Sequence, residues 1–128
     1  MFTRKGVQYE FHHLGVPTQE VKPNECYNAR FGMYTGDSTC SLVRTQWHRF
    51  DADSCLDPEL QTIPHPAFKV SDLSAALGSH TVLLGPYKPI EGFRVVMIKD
   101  GGMPIELIQT ALTDNEIWER ARNDVRSA

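Results

Sequence analysis

The sequence lacks the features that mark disulfide-rich, membrane and secreted proteins. Its three cysteines are odd in number and contain no CxxC pair, which argues against a disulfide framework and against a cysteine zinc site. No stretch approaches the roughly 20 apolar residues of a membrane span, and residues 1–5 lead into polar sequence rather than a signal-peptide core. We therefore expect a cytoplasmic protein with no membrane partner.

The chain also has little positive charge. Its 13 lysines and arginines are outnumbered by 16 acidic residues, and the formal net charge is -3. Because nucleic-acid binding depends on a surplus of cationic side chains, we expect no nucleic-acid partner. The chain of 128 residues is 41% hydrophobic, which is ordinary for one compact globular domain.

Two pairs of short segments repeat along the chain. A histidine opens an apolar, strand-like run at His13 (HLGV) and again at His65 (HPAFKV), and an oxygen donor lies inside a strand-like pattern at Gln46 and again at Glu106. Two imidazoles, one amide oxygen and one carboxylate suit a divalent cation of borderline hardness, such as zinc, nickel, cobalt, manganese or iron(II). These four side chains are therefore candidate ligands of one metal ion.

The first half of the chain has strand signals and few helix signals. Strands are predicted at 7–18, 31–36 and 41–50, with a turn at 36–38. The stretch 19–30 contains Pro23 and has no clean apolar period, so any helix there is short and irregular. Acidic residues and two prolines then favour a linker.

The second half predicts the element order βαβββ. Strands are predicted at 65–70, 81–84, 93–100 and 103–110. Asp72 can cap a helix that ends at Gly78. Thr113 and Glu116 match a reciprocal capping box, which predicts a C-terminal helix at about 113–126 with apolar residues spaced four apart on one face: Ile117, Ala121 and Val125.

We interpret the first half as a degraded copy of the second. The chain then has an α+β fold of two βαβββ modules followed by the C-terminal helix. The boundaries predicted for this arrangement are module one at about 6–52, a linker at about 53–63 and module two at about 64–111.

Other residues have two interpretations each. Glu106 lies among aliphatic residues, where a carboxylate is costly unless it is coordinated or paired, and its paired alternative is Arg44 or Arg94. Arg44 and His48 flank Gln46 on one face of the predicted strand, where they could bind an anionic substrate. The alternative is that they form ion pairs within the protein. For Arg44 the partner would be Glu106 or Asp51.

Two more side chains near these elements have predicted roles. Tyr87 lies in the sequence GPYKP, where a loop is predicted to close over a cavity, and we expect it to contact substrate. His12 is expected to point away from His13 and to be structural, because side chains alternate along a strand.

These motifs resemble the vicinal oxygen chelate superfamily, which includes glyoxalase I, methylmalonyl-CoA epimerase, extradiol dioxygenases, fosfomycin-resistance enzymes and bleomycin-binding proteins. The matching pieces are HLGV from His13, HPAFKVSDL from His65, the Gly85-Pro86 pair and PIELI around Glu106. The resemblance spans most of residues 11–110 and is better in the second half.

The resemblance implies a cupped mixed sheet around a central cavity that holds a divalent metal ion. Its ligands would be His13, Gln46, His65 and Glu106, a set closer to the epimerase and glyoxalase branches than to the dioxygenases. Glu106 would be the catalytic base, because Gln46 cannot take a proton. A homodimer is also implied.

The function expected is that of a metal-dependent lyase or isomerase which stabilises an enolate of a small oxygen-rich or thioester substrate. The alternative is a non-catalytic protein of the same fold that binds and sequesters an antibiotic or another small molecule.

Overall fold

The computed structural model describes residues 1–38, 41–117 and 119. The strands are β1 (Phe2–Arg4), β2 (Val7–Pro17), β3 (Cys26–Asn28), β4 (Met33–Ser38), β5 (Thr45–Phe50), β6 (His65–Val70), β7 (Thr81–Ile90), β8 (Phe93–Asp100) and β9 (Met103–Thr110). The helices are α1 (Pro58–Thr62), α2 (Leu73–Leu77) and a C-terminal turn in which residues 114–117 are helical.

The strands form one mixed sheet in the order β3-β4-β5-β2-β6-β9-β8-β7, with β1 paired to β2. The pairs β2 with β5 and β6 with β9 are parallel, and the other neighbours are antiparallel. Each half therefore repeats the same strand order outward from the central β2 and β6 pair. The predicted α+β fold with two similar modules is confirmed, while the module boundaries stay a prediction.

The register at the centre of the sheet has the same twofold symmetry. Strand β2 pairs His13 with Ala67 and Gly15 with His65 on the antiparallel strand β6. Exchanging the two strands therefore maps His13 onto His65 and Gly15 onto Ala67. The repeated histidines of the sequence occupy equivalent positions in the sheet.

A β-bulge at His12 decides which side of β2 faces the inside of the curved sheet. Phe11 pairs with Phe68 before the bulge, and His13 pairs with Ala67 after it. Because Phe68 and Ala67 point to opposite faces, the bulge places Phe11 and His13 on opposite faces as well. Nδ1 of His12 lies 2.7 Å from Nδ1 of His13, so the expectation that His12 points away from its neighbour is wrong.

Apolar side chains cover both faces of the second module. On the outer face, α2 packs Leu73 and Ala76 against a buried cluster that includes Val96 and Leu107. On the inner face, Ile117 packs against a second cluster. Helix α2 begins where Asp72 accepts a hydrogen bond from the Ala75 amide and ends at Gly78, as predicted.

Removing the anchor of α2 is expected to destabilise the whole domain. Leu73→Ala deletes a side chain that is 2% exposed, and a leucine-to-alanine change in a core costs about 2–5 kcal/mol. Chemical denaturation measures this loss of unfolding free energy. The control is Ser74→Ala, a substitution at an exposed position of the same helix. Equal unfolding free energies for Leu73→Ala and wild type would show that α2 does not contribute to the core.

The first module departs from the predicted boundaries. Residues 18–25 form bends and turns instead of a helix, because Pro23 cannot continue one and Asn24 adopts a φ of 59°. Strand β4 runs through the turn predicted at 36–38, and β5 begins at Thr45 rather than at residue 41. Strands β1 and β3, each three residues long, carry too little pattern to be predicted.

The linker and the second module also differ from the predicted elements, in one place each. Helix α1 lies inside the predicted linker, and it begins where Asp57 caps the chain ahead of Pro58. Strand β7 continues through Gly85 and Pro86 with register shifts, so Tyr87 belongs to a strand and not to a loop.

The C-terminal turn is held by the predicted capping box. Thr113 Oγ1 accepts a hydrogen bond from the Glu116 amide, and the Glu116 carboxylate accepts one from the Thr113 amide. Ala121 and Val125, predicted on the same helical face as Ile117, lie outside the described residues. Within the described ranges, no helix has the length and apolar character needed to cross a membrane.

Candidate metal centre

The parallel pairs of the sheet bring the two oxygen donors to equivalent positions. Gln46 on β5 pairs with Gly15, and Glu106 on β9 pairs with Ala67. Since Gly15 and Ala67 are related by the twofold register, so are Gln46 and Glu106. Paired residues share a face of a sheet, and each donor therefore points to the same inner face as the two repeated histidines.

Glu106 lies between the two histidines. Its Oε2 is 3.5 Å from Nε2 of His13, and its Oε1 is 3.7 Å from Nε2 of His65. All three residues are buried, and neither contact is a hydrogen bond. Among the residues that the structure describes, Nε2 of His13 and both ring nitrogens of His65 find no hydrogen-bond partner, which is costly for buried polar atoms. A metal ion that accepts the Nε2 lone pair of each ring would remove this cost at the two Nε2 atoms.

The protonation states at this site suit a metal ion. Burial lowers the pKa of His13 to about 4, so the ring is neutral and has a free lone pair at neutral pH. Burial alone would raise the pKa of Glu106, but the neighbouring imidazoles of His13 and His65 outweigh it, and the net shift is downward. Neutral imidazole and ionised carboxylate are the forms that coordinate metals.

The donor set fits a divalent ion by its chemistry, although the side chains are not yet closed around one. In the described part of the chain, no three or more His, Cys, Asp or Glu side chains are arranged to hold a metal ion as they stand. Glu106 instead occupies the space between the imidazoles at ion-pair distance, and the predicted fourth donor, Gln46, would contribute an amide oxygen. Binding therefore requires a side-chain adjustment of Glu106.

Gly15 makes room for His65. A Cβ built at this glycine would lie 2.4 Å from both Cε1 and Nε2 of the His65 ring, far inside any real contact. The backbone here is extended, so glycine is needed for space and not for an unusual φ. In the sequence, the one signal for this role is the position of Gly15 two residues after His13.

Gly15→Ala is expected to reduce metal affinity strongly, because the new methyl group displaces the His65 imidazole. Displacing a ligand costs more than losing the support behind it, which is typically about 10- to 100-fold in affinity. Titration with Co²⁺ measures the loss, and Gly36→Ala is the control, since a Cβ there meets its nearest atom at 3.4 Å. Wild-type affinity in Gly15→Ala would rule out His65 as a ligand.

The fold has a counterpart among solved structures, although the sequence itself has no match. No family model and no curated protein matches the sequence. A solved structure of similar fold is the crystal structure of methylmalonyl-CoA epimerase from Mycobacterium tuberculosis, with a TM-score of 0.57 and 20% sequence identity. The match covers 80% of this chain and 88% of that one. The chain has the vicinal oxygen chelate fold.

A cavity opens beside Glu106 on the inner face of the curved sheet. Its volume is about 40 Å³. Met33 on β4 and Leu84 on β7 both line it although they lie near opposite ends of the strand order, which shows that the sheet curls around it. The remaining lining residues are mostly apolar: Phe31, His48, Phe50, Leu56, Leu60, His65, Tyr87, Met97 and Glu106.

The predicted linker supplies part of the cavity wall, which the sequence did not indicate. Leu60 of α1 and Leu56 just before it form part of the wall. The available signal was Asp57-Pro58, a helix start followed by one buried leucine. The linker therefore closes one side of the candidate site.

Two of the three residues predicted to contact substrate line the cavity. His48 lies parallel to the His65 ring at a centroid distance of 5.7 Å, and its Nδ1 is 3.2 Å from Thr35 Oγ1. Burial lowers the pKa of His48 to about 3, so this ring is neutral. Tyr87 packs edge-on against Phe31, and burial raises the pKa of its hydroxyl.

Arg44, the third residue predicted to contact substrate, lies beside Asp114 and Asp37. Its Nη1 lies 2.7 Å from Oδ2 of Asp114, and its Nε lies 4.0 Å from Oδ1 of Asp37. The sequence predicted Glu106 or Asp51 as its ion-pair partner and did not indicate Asp114 or Asp37. Arg44 is not among the residues that line the cavity, and its role in substrate binding stays a prediction.

Proposed function

We propose that the protein is a divalent-metal-dependent isomerase or lyase that moves a proton at a carbon next to a carbonyl group. The observation that carries this proposal is the buried Glu106 carboxylate, which faces an unpartnered imidazole nitrogen on each side. The register that gives Gln46 the position equivalent to Glu106 supports a fourth donor. The fold supports the class of chemistry, since a methylmalonyl-CoA epimerase shares it.

The proposed ligands are Nε2 of His13, Nε2 of His65, the Glu106 carboxylate and the Gln46 amide oxygen. When bound, a divalent cation supplies Lewis-acid polarisation of a substrate carbonyl, which makes the neighbouring C–H bond more acidic. Zinc, nickel, cobalt, manganese and iron(II) all suit two nitrogen and two oxygen donors.

Glu106 is the proposed base. It is ionised, it is shielded from bulk water, and it is the one ligand of the four that can take a proton and return it. As the C–H bond breaks, one Glu106 oxygen accepts the proton and the electron pair moves toward the carbonyl oxygen. Gln46 cannot share this work, so the reaction uses a single carboxylate.

The cavity limits what part of a substrate reaches the base. A volume of about 40 Å³ is well below the roughly 300–1,000 Å³ of pockets that enclose a whole ligand. The reacting end of a small oxygen-rich acid or of a thioester enters, and the remainder stays outside. His48 and Tyr87, which line the cavity, are the proposed contacts of the group that enters.

The second candidate function is binding without turnover. The apolar lining of the cavity, with Phe31, Phe50 and Tyr87, favours an aromatic ligand such as an antibiotic. Its small volume requires the walls to open first. Thermal shifts by such a ligand that persist in chelator would favour sequestration over catalysis.

Solvent proton exchange tests the proposed reaction whatever its final product is. Metal-loaded and chelator-treated protein are incubated in D₂O with a panel of acyl thioesters and α-hydroxycarbonyl compounds, and deuterium at the carbon next to the carbonyl is followed by NMR. We expect incorporation into at least one compound only in metal-loaded protein. No incorporation into any compound, in protein shown to contain metal, would contradict the proposal.

Cytoplasmic location and a homodimer remain part of this proposal. Sedimentation at several protein concentrations tests the second, with a mass of two chains expected.

A further inference from the structure

A continuous chain of side-chain contacts runs behind His13, on the side away from Glu106. Nδ1 of His13 lies 2.7 Å from Nδ1 of His12, and Nε2 of His12 lies 3.1 Å from Oδ1 of Asp114. The other oxygen of Asp114 lies 2.7 Å from Nη1 of Arg44. The chain links the bulge of β2, the C-terminal turn and the start of β5.

The direction of the hydrogen bonds follows from what each group can donate. An ionised carboxylate only accepts, so the short contact at Asp114 requires a proton on Nε2 of His12. A neutral His12 protonated on Nε2 has an acceptor at Nδ1. The 2.7 Å contact between the two Nδ1 atoms then requires the proton to belong to His13.

The opposite direction is unfavourable for a neutral pair of rings. If His12 donated from Nδ1, its Nε2 would carry a lone pair facing the Asp114 carboxylate at 3.1 Å. Both atoms would then be acceptors, and their repulsion at 3.1 Å would exceed that between Nε2 of His13 and Oε2 of Glu106, which lie 3.5 Å apart and face each other in the proposed direction.

We propose that His12 and Asp114 are positioning residues that hold His13 protonated on Nδ1 and leave the Nε2 lone pair pointing toward Glu106. The inference rests on the proposed metal centre, because a lone pair at this atom is what a metal ligand requires. Support of this kind behind a metal-binding histidine fixes both the tautomer and the ring orientation.

Local structure explains how the two positioning residues reach His13. The bulge turns His12 to the same side as His13, where regular alternation would have separated them. Asp114 opens the C-terminal turn, which the Thr113 cap and the buried Ile117 fix against the inner face. Arg44 holds the second Asp114 oxygen, so the carboxylate presents the first to His12.

NMR of metal-free protein tests the tautomer directly. Long-range ¹⁵N–¹H correlations distinguish a protonated ring nitrogen from a bare one, and we expect Nδ1 of His13 to be protonated and Nε2 to be bare. Asp114→Asn is expected to reduce this preference, because an amide can also donate to His12. A wild-type His13 protonated on Nε2, or a His12 protonated on both nitrogens, would overturn the inference.

Metal titration tests the consequence. His12→Phe and Asp114→Asn are each expected to weaken Co²⁺ binding by about 10- to 100-fold, the usual effect of losing support behind a ligand. His12→Gln, whose amide can accept from His13 and donate to Asp114, is expected to restore part of the affinity. Wild-type affinity in both His12→Phe and Asp114→Asn would overturn the inference.

The control is a second histidine and aspartate pair away from the site. His80 and Asp100 lie 3.4 Å apart, and Asp100→Asn is expected to leave metal affinity unchanged. The two proposals fail separately in these experiments. Wild-type protein that binds no metal contradicts the proposed function, while the NMR tautomer still decides the roles of His12 and Asp114 in the metal-free protein.

Discussion

Glu106→Gln is expected to lower metal-dependent proton exchange about 100- to 10,000-fold, the usual contribution of a general base. Glutamine has the shape of glutamate but cannot take a proton at neutral pH. Its amide oxygen can still coordinate, so the comparison is made at saturating metal. Initial rates of deuterium incorporation at the substrate carbon measure the effect.

The matched control for this substitution is Glu10→Gln, which changes an exposed glutamate on β2. Its exchange rate should equal that of wild type. If Glu106→Gln at saturating metal also exchanges at the wild-type rate, Glu106 is not the base and contributes only as a ligand.

A divalent metal at about 100 times its dissociation constant is expected to raise the melting temperature by roughly 10 °C. Binding at that excess stabilises the folded state by about 2.7 kcal/mol. In a domain of this size, each kcal/mol is worth a few degrees. The physical reason is that the unpartnered nitrogens of His13 and His65 gain the partner they lack. Thermal unfolding followed with and without Zn²⁺ or Co²⁺ measures the shift.

Histidine variants show whether that stabilisation comes from this site. His13→Ala and His65→Ala should each lose most of the metal-dependent shift, while His80→Ala, which removes an exposed ring at the exit of α2, should keep it. Equal shifts in all three variants would place the stabilising metal elsewhere on the protein.

The second module could be predicted from the sequence because its signals are local. Strand β6 and helix α2 have the predicted bounds, since the Asp72 cap and Gly78 are both within a few residues of the helix they delimit. The repeated spacing of histidine and oxygen donors was also informative. It reflects the twofold register of the central strands, which gives His13 and His65 equivalent positions in the sheet.

The first module could be predicted only in part, because tertiary contacts decide its details. The bulge at His12 is not visible as a pattern in the sequence, and it places Phe11 and His13 on opposite faces, where alternation would give both the same face. The need for glycine at position 15 depends on a ring from another strand. The contact of Arg44 with Asp114 forms only when the C-terminal turn docks on the sheet.

An anomalous-scattering crystal structure of the zinc- or cobalt-loaded protein tests the central claim most directly. We expect one strong anomalous peak per chain, enclosed by the side chains of His13, Gln46, His65 and Glu106. A peak bound at other residues, or a fully loaded crystal with no peak among these four side chains, would contradict it.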